Sequence, residues 1–359
     1  MSKTAGADHI VTDEGICSSG LLEKLESELV RASVEYSVFK KVTPDPTYDQ
    51  VELGLEQYRR DHCQGILALG GGSPIDCGKV IAARVTNKKP IKRLTGLLKV
   101  WRAPAPLFAL PTTSGTGSEV TVAAVVSDPI SHQKTPLMDP KLVPMLVSLD
   151  PAFSMGLPPH ITAHTGMDAL THAIEAYISV NASPETNGYA KAAITLIHEN
   201  LEKAFIYGQN SAVRQNMSLA SYYAGLAFTK ASLGYVHAIS HNIGAKYGIP
   251  HGLANAVILP HVLEFSKPAV TKQLAELADL IHVSEPKSTE RMKAQAFIQY
   301  VQSLQLKLHI PEKLDKLVDE DIPEIAKAAL YEAQWNYPIP KQMNQHQCEL
   351  LIHKLLPST

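Results

Sequence analysis

Fifteen histidines stand in the 359-residue chain, and their spacing is uneven. His237, His241, His251 and His261 fall within 25 residues, and His160, His164 and His172 form an earlier group. In Gly166-Met167-Asp168-Ala169-Leu170-Thr171-His172-Ala173-Ile174-Glu175 the pattern is helical, and Asp168 and His172 are four residues apart. Both side chains therefore leave one helix face and can reach one ion. His237-Ala238-Ile239-Ser240-His241 repeats that spacing, and Pro250-His251 follows. A continuous helix would carry His251 about 21 Å beyond His237 at about 1.5 Å per residue. The Gly248-Ile249-Pro250 breaker is where the chain can turn and bring it back. A carboxylate with two or three imidazoles suits Fe2+, Zn2+, Mn2+ or Co2+ and is too rich in nitrogen for Mg2+ or Ca2+. A lone helical histidine is more often a hydrogen-bonded core or surface residue than a ligand. An aspartate and a histidine one helical turn apart, followed by a second histidine-rich helix, weigh the other way, toward a metal site. The spacing leaves open whether His237 or His241 is the ligand. His160, His164, His198 and His261 read as structural, and Glu175 and Lys134 carry no signal of their own.

Two glycine-rich turns suggest a second chemistry. Gly70-Gly71-Gly72-Ser73-Pro74-Ile75-Asp76 follows the apolar run 65–69 and reads as a helix start. Ser73 is the expected N-cap, Pro74 the first helical residue, and Asp76 completes a spacing like that of a capping box. Such an N-terminus, with glycines that admit close approach, favours a phosphate. It is neither a P-loop, because Val80 follows Gly78-Lys79, nor a GxGxxG fingerprint. Taken alone it is as well explained by a tight structural turn. The second turn, Pro111 to Glu119, carries five hydroxyls among nine residues. Two such turns at the carboxyl ends of strands point to a dinucleotide, because ligands of open α/β sheets bind there. Asp13, ending the first strand, could accept ribose hydroxyls and would repel a 2′-phosphate; a turn-forming aspartate explains it almost as well.

The elements that must position these groups change in texture along the chain. Before about residue 155, strands over 8–13, 34–42, 65–72 and 106–111 alternate with helical patterns over 18–32 and 47–62. That alternation predicts a parallel sheet covered on both faces. After it, 160–180, 183–206, 211–228 and 233–247 all read as helices. The expected organisation is an α/β dinucleotide-binding domain over 1–157 and an all-helical, metal-binding domain over 158–359, divided near Leu157-Pro158-Pro159.

Composition excludes several function classes. Thirty-three Lys and Arg against 35 Asp and Glu give a net charge of −2, which removes the electrostatic case for nucleic-acid or acidic-membrane binding. No apolar run reaches the ~18 residues of a membrane helix, and the first residues show no signal-peptide pattern. The expected location is the cytoplasm. Cys17, Cys63, Cys77 and Cys348 form no CxxC pair and read as reduced, packed thiols.

At GGGSPID, PTTSGTGSEVT, GMDALTHAIEAY and HAISHNIGAKYGIPHG, in that order and spacing, the sequence resembles the iron-containing (group III, metal-activated) alcohol dehydrogenases over residues 8–350. The resemblance implies a dehydroquinate synthase-like architecture with the active site in the cleft between the domains. It implies Asp168, His172, His237 and His251 as metal ligands, with iron the first expectation and zinc the second. His241 becomes a proton-relay residue near the nicotinamide and the catalytic candidate. Gly71, Gly72, Ser73 and Pro74 become the pyrophosphate cradle. Thr112, Thr113, Thr116, Ser118, Thr121, Val125 and Lys134 line the rest of the cofactor, and Asp13 favours NAD over NADP. The implied reaction is hydride transfer between a small alcohol or aldehyde and NAD(H), with the metal favouring ionisation of the hydroxyl. A homodimer is implied too, although the N-terminal segment that members usually carry ahead of the equivalent of 8–13, and that often joins subunits, is expected to be missing. Asp45 stands where lactaldehyde reductases of the family carry Asn, so that substrate is not carried over.

Two other readings fit the same residues. A metal- and NAD-dependent lyase of the dehydroquinate synthase type would need a basic pocket, yet residues 160–255 hold few cations, such as Lys191, Lys203, Arg214, Lys230 and Lys246. A non-catalytic metal-binding scaffold would have little use for both cofactor turns.

Overall fold

The computed structural model describes residues 8–130 and 134–357. The chain divides into two compact units between Gly156 and Leu157. In the first, β1 (Asp8–Asp13) leads through α1 (Glu14–Ser18) and α2 (Leu21–Arg31) to β2 (Tyr36–Val42). Then α3 (Tyr48–Arg60) leads to β3 (Gly65–Gly70), and α4 (Gly72–Thr86) follows directly. The strands β4 (Gly96–Leu97), β5 (Leu107–Pro111), β6 (Ala123–Ser127), β7 (Lys134–Met138) and β8 (Leu146–Val147) complete it.

Five strands form one sheet in the order β2-β1-β3-β5-β8, every pair parallel. Successive residues serve opposite faces, as the two-residue period of a strand requires. Val11, Ile66 and Ala68 pack with Val51, Leu55, Val80 and Ile81 of α3 and α4, whereas Ile10, Leu69 and Leu110 pack with Leu22 and Leu25 of α2. Both faces are thus covered, which is what a parallel sheet demands. Three short strands form a second sheet, β4-β7-β6, with β6 and β7 antiparallel.

Two local expectations are refined. The helix expected over 18–32 is α2, which Gly20, turning left-handed (φ 75°), separates from the short α1 ahead of it. The helix after the first glycine turn starts at Gly72 with Gly71 as its N-cap, and no side chain caps it. Ser73 and Pro74 therefore lie inside the first turn, and Asp76 faces a different partner, described below.

His9 sits on β1, fully buried, between Phe39 and Tyr58, and among the described residues neither ring nitrogen has a hydrogen-bond partner of good geometry. Burial lowers its pKa from 6.5 to about 4, with Asp61 pulling weakly the other way. Below pH 6.5 the unfolded chain binds a proton that the folded one refuses until about pH 4. Stability is therefore lost as pH falls through that window, by about 2 kcal/mol at pH 5 and about 3 kcal/mol at pH 4. His9→Leu is expected to remove that share of the acid sensitivity, read by denaturant unfolding of both proteins at pH 7 and pH 5. Equal pH dependence in the two would show that His9 does not carry it.

The second unit is helical: α5 (Pro159–Ile178), α6 (Pro184–Ile206), α7 (Ser211–Ala231), α8 (Tyr235–Tyr247), α9 (His251–Leu280), α10 (Glu290–Lys307), α11 (Ile322–Asn336) and α12 (Gln345–His353). At its centre lies α5, buried without a break from Gly166 to Ile178 and packed on α6, α7 and α9. A helix buried all round should be apolar all round. The polar residues that α5 nevertheless carries, Asp168, His172 and Glu175, are the start of the site. Among the described residues no helix is long and apolar enough to cross a membrane.

Candidate metal and cofactor sites

Asp168 and His172 leave α5 one turn apart, and two other helices bring the remaining donors. At the end of α8 the chain turns through Gly248 in the left-handed region (φ 64°), and Pro250 precedes the first residue of α9, His251. The next residue must be glycine: a Cβ on Gly252 would lie 2.4 Å from the backbone oxygen of His164 on α5. That close approach sets His251 against Asp168.

One donor atom from each of Asp168, His172, His237 and His251 lies within 4.8 Å of the other three. From Asp168 Oδ1 the Nε2 atoms of His172, His237 and His251 stand at 3.8, 3.9 and 3.6 Å. A tetrahedral ion with ligands at about 2.0–2.2 Å would space them about 3.3–3.6 Å apart. The three distances from Asp168 exceed that spacing by only a few tenths of an ångström. Burial, reinforced by the neighbouring imidazoles, holds the His237 pKa well below its ordinary value, so its ring is neutral and able to ligate.

Asn255, one turn beyond His251 and fully buried, shows where the lone pairs converge. Its Nδ2 donates to Asp168 Oδ1 (2.7 Å) and lies 3.1 Å from His237 Nε2 and 3.0 Å from His251 Nε2. One amide group has two protons for these three acceptors, and its own Oδ1 has no partner among the described residues. One carboxylate oxygen and two ring nitrogens gathered round one amide group mark a point that a divalent cation could take, and the oxygen and nitrogen mixture fits iron or zinc.

Glu175, to which the spacing gave no weight, proves to hold the histidine. Its carboxylate accepts from the N–H groups of Gly234 (2.9 Å) and Val236 (2.8 Å) at the start of α8, and pairs with His237 Nδ1 at 2.6 Å. Burial pushes its pKa up to about 8, and the backbone donors of Val236 and Gly234 oppose that rise. With Nδ1–H donated to Glu175, Nε2 presents its lone pair toward Asp168. Asp168, His172 and Glu175 at i, i+4 and i+7 form one stripe on α5, a signal the sequence carried.

His241 is not among the four donors. Its Nδ1 pairs with Glu332 on α11 at 2.7 Å, and its side chain is 37% exposed. The same carboxylate accepts from Asn242 Nδ2 and from the Tyr337 hydroxyl. The His241 ring stacks on His251 at 5.1 Å. The structure thus separates the two histidines that spacing left equivalent. His160 and His164 pair edge to face with each other and stay outside the donor set.

In the first unit, the two glycine-rich turns meet at the N-terminus of α4. A Cβ on Gly71 would lie 3.1 Å from Thr113 Oγ1, and one on Gly72 3.0 Å from Thr116 Cγ2. These glycines therefore make room for the second turn as well as for any ligand. Thr112 N–H donates to Gly70 O, tying the two strand ends together. Asp13 caps α1 by accepting from Ile16 N–H at 2.9 Å, so the turn-forming role is realised. Lys134 is engaged by Asp45, Nζ to Oδ1 at 2.6 Å.

A parallel α/β unit with paired glycine turns, and a helical unit in which one aspartate and three histidines converge, fit a dinucleotide- and metal-dependent enzyme. Residues 3–151 match the family described as iron-containing alcohol dehydrogenase, and residues 162–356 match its C-terminal region. Alcohol dehydrogenase 4 of Schizosaccharomyces pombe is 38% identical over 315 residues, covering 87% of this chain and 74% of that protein. The crystal structure of a 1,3-propanediol oxidoreductase superposes with a TM-score of 0.94 at 35% identity, covering 98% of this chain and 92% of that one. The structure of sulfoacetaldehyde reductase from Bifidobacterium kashiwanohense in complex with NAD+ superposes with a TM-score of 0.87 at 28% identity, covering 98% and 91%. The chain belongs to the iron-containing alcohol dehydrogenase family. It is an oxidoreductase acting on CH–OH groups, with NAD and a divalent metal as cofactors, and the dehydroquinate synthase-type lyase reading is set aside.

Proposed function

We propose that this enzyme interconverts a small primary alcohol and its aldehyde with NAD(H), and that Asp168, His172, His237 and His251 hold the metal, iron first and zinc second. The observation that carries this reading is the convergence of those four donors on one point. When bound, the metal supplies Lewis acidity toward the substrate oxygen and NAD supplies the hydride acceptor. The chain's own residues do the rest. Glu175 holds His237 in the ligating tautomer. Glu332 holds His241 Nδ1, leaving Nε2 to take the substrate proton and pass it to water. The N–H groups at the start of α4, at Gly71, Gly72 and Ser73, receive the pyrophosphate, and Pro74, which has no N–H, completes that cradle. Thr112, Thr113, Thr116, Ser118, Thr121, Val125 and Lys134 complete the cofactor's surroundings. On this reading residues 1–157 serve the dinucleotide and 158–359 the metal. The four cysteines, none in a disulfide, and the lack of a spanning helix among the described residues support a cytoplasmic enzyme. The family resemblance and the 19% of charged residues, below the usual ~25%, support a homodimer.

The test is NADH formation, without air, from ethanol, 1-propanol and 1,3-propanediol. Turnover should vanish with a chelator and return with Fe2+; turnover by fully metal-free protein would remove the proposal.

Cofactor choice gives a separate prediction. The cap engages Oδ1 of Asp13, and the side chain stands at the carboxyl end of β1, where a ribose would lie. Asp13→Gly removes a like charge facing a 2′-phosphate and costs only a few tenths of a kcal/mol as a cap. The variant should raise kcat/KM with NADP by about tenfold or more, a change of ~1.4 kcal/mol. An unchanged NAD to NADP ratio would show that Asp13 is not the discriminator.

A further inference from the structure

The cofactor residues of the second loop do not have their polar groups to spare. Ser118 Oγ donates to Asp76 Oδ1, and Val125 N–H donates to Asp76 Oδ2 at 2.9 Å. Lys79, three residues on along α4 and 0% exposed, donates to Thr121 O (2.9 Å), Thr121 Oγ1 (3.0 Å) and Ala123 O (2.7 Å). An ammonium has three N–H donors, and all three are used. Asp76 and Lys79 stand at i and i+3 and so share one helix face. Together they grip residues 118–125 at both ends, directly below the turn where Gly71 and Gly72 take in Thr113 and Thr116. The grip is hydrogen-bonded, and the nearby Asp76 and buried Glu119 favour the charged form of Lys79 against its burial. Burial lowers Lys79 to about 8 and raises Glu119 to about 7.

Resting on the reading that NAD binds at the start of α4, we infer that Asp76 and Lys79 are positioning residues for the cofactor, and that Ser118 and Thr121 act on it through this clamp rather than by their own hydroxyls. The clamp makes the two glycine-rich turns one rigid cradle. Such preorganisation lowers the ordering cost of binding, so its loss should appear in cofactor affinity and not in the chemical step.

The test uses the full-length, metal-loaded enzyme. Lys79→Met should weaken NADH binding by about tenfold or more and raise KM for NAD in step, with kcat at saturating NAD lowered by less than about threefold. A double-mutant cycle of Asp76→Asn and Ser118→Ala on the NADH dissociation constant should be strongly non-additive, the second change adding less than about twofold to the first. Wild-type NADH affinity in Lys79→Met, or additive effects in the cycle, would overturn the clamp. If Lys79→Met does not fold, the cycle decides. Failure of the wild type to bind NADH would instead sink the cofactor reading, and the clamp would still be judged by faster exchange of the Val125 amide in Asp76→Asn.

Discussion

His251→Ala should strip the enzyme of its divalent metal and lower kcat/KM for alcohol oxidation by about 10^3-fold or more, because the Lewis acid goes with the ligand. His251 is the ligand to choose because it is the only one of the four with a substantially exposed side chain, 38% against 5% or less for the others. Its truncation leaves the core of the helical unit intact, and loss of fold cannot masquerade as loss of metal. NADH binding, assigned to residues before 157, should change by less than about twofold (~0.4 kcal/mol). Metal analysis beside the kinetic assay checks both halves, and a variant that kept its metal with full turnover would remove His251 from the site.

The second large effect is expected one contact further from the ion. Glu175→Gln keeps the shape of the side chain but replaces an oxygen that accepts with a nitrogen that donates. Glu175 Oε2 takes Gly234 N–H and His237 Nδ1 while Oε1 takes Val236 N–H, so the new amide nitrogen faces either Val236 N–H alone or Gly234 N–H and His237 Nδ1 together. In the second orientation the His237 ring is driven to the tautomer with hydrogen on Nε2, which cannot ligate. Removal of such a partner typically costs about 10–100-fold in metal affinity. Titration of the metal against a competing chelator measures it directly; an affinity equal to wild type would mean that Glu175 only caps α8.

What the sequence revealed follows from the range over which each signal acts. Asp168 and His172 were readable because one turn of helix fixes their separation, whatever surrounds it. His237 and His241 share that same local relation to each other, and nothing local tells them apart. The choice is made by tertiary contacts: Glu175 anchors the start of α8 and points His237 inward, while Glu332 on α11 takes His241. The alternation of strands and helices likewise announced a parallel sheet. It gave no warning of the second sheet, whose β4 is two residues long and pairs with a strand some forty positions away. Ser73 was misplaced as a cap for a related reason. Local chemistry favours Ser-Pro at a helix start, but β3 runs straight into α4 and Gly71 takes the capping position. Asp76, read as part of that cap, spends its charge on Ser118 and Val125 instead.

Everything proposed for the site depends on three imidazoles and one carboxylate sharing one ion. X-ray absorption at the iron edge, on protein loaded with one equivalent of Fe2+ without air, tests it most directly. The expected spectrum has an inner shell of nitrogen and oxygen at about 2.0–2.2 Å with outer-shell scattering from three imidazoles, reduced to two in His251→Ala. A shell of water oxygens without imidazole scattering, or one unchanged by that substitution, would contradict it.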